Sequence, residues 1–143
     1  MPGMAAACFA IRALVPWLRI HCFALMLRVN RLMEWVIMPN HVHLLAEFFA
    51  GSLLSEVVKS WKSFSAHEAN RILGRSGQFW QEEYFDRFIR DDVHVENARR
   101  YIRENPVQAS LVKHPEDWPY GSASWLRRHP GSTSEDLRTH GGS

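Results

Sequence analysis

At 143 residues, 46% of them hydrophobic and 22% charged, the chain has the length and apolar content of one domain with its own core. Its formal net charge of +2 permits an anionic partner without demanding one. Two cysteines, Cys8 and Cys22, form neither a disulfide scaffold nor a metal-ligand spacing and read as thiols in a reducing compartment. Arg12, Pro16, Arg19 and Arg28 interrupt the apolar stretch 4–29, so it holds no uncharged run of about 18 residues able to cross a membrane. No basic segment precedes Ala5–Ala7 as in a signal peptide. A soluble cytoplasmic protein is the expectation.

Residues 1–13 are Ala-rich and show no periodic pattern. Pro16 can open a helix over Trp17–Val29, apolar on most faces. Arg31–Met38 reads as a strand rich in Trp, Val and Ile, Pro39-Asn40 as a turn, and His41–Phe48 as a second strand antiparallel to the first. Ser52 is a candidate helix N-cap. Leu54, Val57, Val58, Trp61 and Phe64 then recur at helical spacing, and Gly74 marks the end of that helix. Phe79–Ile89 reads as an irregular segment or a short strand. Asp91-Asp92 opens a further helix with acidic residues at its positive end, and Pro106 marks where it stops. Residues 127–143, rich in Gly, Ser, Thr and Arg, read as a disordered tail.

The chemistry concentrates in two places. Side chains alternate faces along a strand, so His41 and His43 project to the same side, close enough to share a divalent metal. Two polar positions on a half-exposed strand would look the same. Tyr101 and Asn105 are four residues apart and share one helix face, so Asn105 is a candidate third, oxygen, ligand with Tyr101 beside the metal; an ordinary helix tyrosine packed at the core rim would look the same. A phenol with its pKa near ~10 is a poor nucleophile unless its target is activated, and a cation on a phosphate oxygen provides that activation. Arg99, Arg100 and Arg103 surround Tyr101. Lys59, Lys62, Arg87 and Arg90 extend the basic set, as candidate phosphate contacts or as a plain solvated surface. The constellation points to cutting and rejoining a nucleic-acid strand.

The run Trp35-Val36-Ile37-Met38-Pro39-Asn40-His41-Val42-His43-Leu44-Leu45 resembles the His-hydrophobic-His motif of the HUH single-tyrosine transposases, above all their REP-associated branch. Further blocks resemble that family in the same order: Ser60–Phe64, Phe79–Gln81, Tyr84–Arg90, Tyr101–Ala109 and Trp118–Ser122. The resemblance spans roughly residues 31–125.

The resemblance implies an α/β (α+β) domain of ferredoxin-like HUH type, an antiparallel sheet with flanking helices, over residues 31–126. It implies a metal-dependent endonuclease and strand transferase acting on single-stranded or hairpin DNA through a 5′-phosphotyrosine. Tyr101 would be the nucleophile, and His41, His43 and Asn105 the ligands of Mg2+ or Mn2+. Tyr84 and Tyr120 do not match the nucleophile position. Family members usually begin with a strand that residues 1–30 do not visibly supply. The expectation is therefore a divergent or truncated N-terminal segment, a missing first strand, and an exposed sheet edge that would favour a homodimer. A catalytically impaired hairpin-binding protein derived from such a transposase is the alternative, and a metal-binding protein of another type is a third.

Overall fold

The computed structural model describes residues 4–11, 31–51 and 53–132, with the side chains of 4–11, 72, 82–86 and 88 left aside. The helix expected over Trp17–Val29, the Ser52 cap and the tail beyond residue 132 lie outside the described residues.

Four strands form one antiparallel sheet in the order β2-β3-β1-β4: β1 Met4–Ile11, β2 Arg31–Ile37, β3 His41–Glu47 and β4 Trp80–Ile89. The first strand expected to be missing is therefore present, in the middle of the sheet. Its residues pair with β3 (Cys8 opposite His43) and with β4 (Cys8 opposite Phe85). The segment Phe79–Ile89 likewise resolves into a ten-residue strand rather than an irregular one.

The sheet is covered on both faces, as strict alternation in β3 requires. Val42, Leu44, Ala46 and Phe48 pack with Leu54, Val57, Val58, Trp61 and Ala69 of helix α1 (Leu54–Leu73). The intervening Leu45 packs with Val95 and Ile102 of helix α2 (Asp92–Gln108). Both stripes follow the 3.6-residue repeat that buries one side of a helix. Trp80 locks α1 to β4 by donating from Nε1 to Ser65 Oγ at 2.8 Å. Helix α1 ends at Gly74, whose φ of 62° is the left-handed conformation that glycine adopts without penalty.

Helix α2 starts on Asp91, whose side chain accepts from the His94 amide at 2.9 Å. It runs through Pro106 to Gln108, two residues past the expected stop. In the last turn a proline removes only its own N–H bond, while Ala109 still donates to the Asn105 carbonyl at 3.0 Å. A 3₁₀ turn at Pro115–Asp117 leads to helix α3 (Ser122–Arg128), so Arg127 and Arg128 belong to a helix and not to the tail.

The outer edge of β2 is covered at its C-terminal end. Ile37 N–H donates to the Tyr120 carbonyl at 2.8 Å, and Gly121 bridges Val36. The exposed edge expected beside the histidines is thus filled by β1, and the chain itself covers the far edge of β2 at Trp35, Val36 and Ile37.

Candidate active site

The turn at Pro39-Asn40 is closed by Met38 N–H donating to the His41 carbonyl at 2.8 Å. It starts β3 so that His41, His43 and Leu45 all face α2. The two imidazoles meet edge to face with centroids 4.6 Å apart. Burial pushes the His43 pKa down to about 4, and the neighbouring His41 adds to that effect. His41 also lies below its ordinary value through burial, opposed by a hydrogen bond with the Asn105 side chain. Both rings are neutral at physiological pH and keep a lone pair each.

Helix α2 supplies the other half. The Tyr101 ring sits 5.4 Å from the His43 ring, edge to face, and the residue is 51% exposed. Asn105, one turn on, is 9% exposed and reaches His41. Residues some sixty positions apart in sequence thus converge from β3 and α2 into one cluster open to solvent on the tyrosine side.

That donor set suits a divalent cation. Two neutral imidazole nitrogens and an amide oxygen provide three positions and leave others for phosphate oxygens. Among the described residues, three or more His, Cys, Asp or Glu side chains nowhere gather as ligands. A cation held by these neutral ligands would keep its positive charge, which favours an anionic partner.

The basic residues divide. Arg87 is exposed in a row with Ala6 and Leu45, which places it on the histidine face, and exposed Arg90 follows at the end of β4. Arg100 is exposed, with its guanidinium on Asn97 Oδ1 at 2.7 Å. Arg99 and Arg103 instead turn to the carboxylate of Glu34, at 3.6 and 2.5 Å. Lys59 and Lys62 lie on α1, across the sheet from the histidines, and Lys62 donates to the Gln81 carbonyl. The structure therefore does not join the lysines to the arginines in one track.

Two residues escaped the sequence reading. Asn40 is more than a turn former, because its Oδ1 lies 2.6 Å from His41 Nδ1. As an acceptor it favours the tautomer with the hydrogen on Nδ1, which keeps the His41 lone pair on Nε2. Glu34 is wholly buried. Its signal was available: a single carboxylate inside Leu32–Met38 must find partners.

A family model described as IS200-like transposase matches residues 23–105, a span that holds both histidines and Tyr101 and ends on Asn105. The chain belongs to the IS200-like transposase family. It is similar to a Haemophilus influenzae protein named as a REP-associated tyrosine transposase, with 29% identity over 99 residues, 60% of this chain and 54% of that one. The chain thus spans about half the length of that curated relative. In fold it is similar to a REP-associated tyrosine transposase solved with a REP hairpin bound. The TM-score is 0.74 at 19% identity, over 94% of this chain and 84% of that one. The mixed α/β fold with an antiparallel sheet matches the expectation. No helix among the described residues is long and apolar enough to cross a membrane.

Proposed function

We infer that this chain is a metal-dependent single-stranded DNA endonuclease and strand transferase that acts on hairpin-forming DNA through Tyr101. The observation that carries the reading is the meeting of Tyr101 with His43, 5.4 Å between ring centroids, while Asn105 reaches His41. The solved relative with a REP hairpin bound supports the choice of DNA.

His41, His43 and Asn105 would hold Mg2+ or Mn2+, which when bound withdraws charge from a phosphate oxygen. Exposure of Tyr101 on the open side lets a DNA strand approach its hydroxyl. The phenol gives its proton to solvent, and Tyr101 Oη attacks phosphorus. The bond to the 3′ oxygen breaks, and that oxygen takes up a proton and leaves as a 3′-hydroxyl. The 5′-phosphate stays esterified to Tyr101, and attack by a 3′-hydroxyl reverses the step. The ester conserves the energy of the broken bond, so no nucleotide cofactor is required. Arg87, Arg90 and Arg100 are placed to meet the DNA backbone.

The impaired-binder alternative rested on a damaged N-terminus, and β1 removes that motive. The test is a covalent assay with a hairpin oligonucleotide and Mn2+. Wild type is expected to give a denaturant-resistant adduct, and Tyr101→Phe and His41→Ala none. An adduct that persists in Tyr101→Phe, or equal cleavage by His41→Ala, would overturn the assignment.

A further inference from the structure

Glu34 is the one described acidic residue buried without exposure, and it sits under the helix that carries Tyr101. Strand alternation from the Pro39-Asn40 turn puts it there. The register runs unbroken from Ile37, opposite Val42, through Val36, opposite His43, to Glu34, opposite Leu45, and slips only beyond it, before Leu32. Glu34 therefore shares the face of Leu45, His43 and α2.

Both carboxylate oxygens are engaged there. Oε2 accepts from Ser122 Oγ at 2.5 Å, and the Trp35 amide donates to the same hydroxyl oxygen at 3.2 Å. Oε1 faces Arg103 Nη2 at 2.5 Å and Arg99 Nε at 3.6 Å. These are charge contacts rather than aligned hydrogen bonds, since Oε1 has no straight donor. The carboxylate is anchored from β2 and α3, and it grips α2 through two arginines one turn apart.

Helical geometry says what that grip controls. At about 100° per residue, Arg99 and Arg103 lie roughly 50–100° to one side of the buried stripe of Val95, Ala98 and Ile102. Asn105 and Tyr101 lie roughly 60–110° to the other side. Apolar packing holds the stripe down but resists rotation about the helix axis weakly. The arginines on one flank therefore set the roll of α2, and the roll sets the height of Tyr101 on the opposite flank. With a Cα radius of about 2.3 Å and a phenol reaching roughly 6 Å further, a roll of about 10° moves the hydroxyl by about 1.5 Å. A displacement of about 1 Å at a reacting atom can cost on the order of 100-fold in rate.

We propose that Glu34 is a positioning residue, which through Arg99 and Arg103 holds α2 at the rotation that presents Tyr101 to the histidine pair. Its link to rate rests on the reading of Tyr101 as nucleophile, whereas its link to geometry does not.

The experiment has two arms on the full chain. In the DNA-free protein, NMR reads the nuclear Overhauser effect between the Tyr101 and His43 rings. In Glu34→Gln it is expected to weaken about threefold or more as the ring shifts by about 1 Å. With a hairpin oligonucleotide and Mn2+, the single-turnover rate of adduct formation is expected to fall on the order of 100-fold, with hairpin affinity changed by less than about threefold. Glu34→Asp, which keeps the charge, is expected to recover part of both. Should Glu34→Gln fail to fold, Arg103→Gln takes its place in the DNA-free arm, where lost phosphate contacts play no part. A folded variant with the Tyr101–His43 contact intact overturns the proposal, whatever its rate. If wild type forms no adduct, the functional reading fails while the NMR arm still decides the role of Glu34.

Discussion

The buried histidine pair makes a quantitative prediction about metal binding and pH. An imidazole must be neutral to bind a cation, so protons and metal compete for it. At pH 5 an ordinary histidine, with its pKa near 6.5, imposes a proton penalty of roughly 30-fold on affinity, and two such residues on the order of 1000-fold. His43, held down to about 4 by burial and by His41, is already neutral at pH 5 and adds almost nothing to that penalty. His41, lowered by the same burial, adds less than an ordinary imidazole. Mn2+ affinity is therefore expected to fall by less than about 30-fold between pH 7.5 and pH 5, read by electron paramagnetic resonance of free Mn2+. A fall on the order of 1000-fold would show two ordinary histidines and refute the burial argument. The same shift has a consequence for the metal-free fold. Below pH 6.5 the unfolded chain binds a proton that native His43 refuses, so the contribution is complete above that pH. It is lost progressively as the pH falls towards about 4.

Two further outcomes follow from how the side chains are placed. If all seven basic candidates met phosphates of a single strand, the slope of log affinity against log salt would be about −5, whereas Arg87, Arg90 and Arg100 alone give about −2. Titration of a hairpin oligonucleotide over a salt series is expected to give the smaller value, and a slope near −5 would return the lysines and the Glu34-bound arginines to the interface. Ile102 is 2% exposed beneath α2, so Ile102→Ala is expected to cost about 2–5 kcal/mol in urea denaturation. Loss of less than about 1 kcal/mol would mean that α2 is not held by that stripe.

Much of the site was legible because it depends on short-range periodicities. His41 and His43 share a face by strand alternation, and Tyr101 and Asn105 by the helical repeat. That the two pairs meet came only through family resemblance, since no local pattern encodes a sixty-residue separation. The first strand was illegible for a physical reason. Met4-Ala5-Ala6-Ala7-Cys8-Phe9-Ala10-Ile11 has little β-branched character and no alternation. Its strand state comes from pairing with β3 and β4 in a sheet covered on both faces. Pro106 misled in the opposite sense: a helix breaker in the last turn has little left to break. The partners of Glu34 come from α2 and from Ser122, far along the chain, and no local pattern names them. Those contacts took Arg99 and Arg103 away from the simple role of phosphate contacts.

The central claim is that Tyr101 carries the DNA. The chain has three tyrosines, and proteolysis of a hairpin-DNA adduct followed by mass spectrometry assigns the modified one directly. The account predicts a 5′-phosphoryl oligonucleotide on the peptide containing Tyr101. Its attachment to Tyr84 or Tyr120 would contradict the account outright.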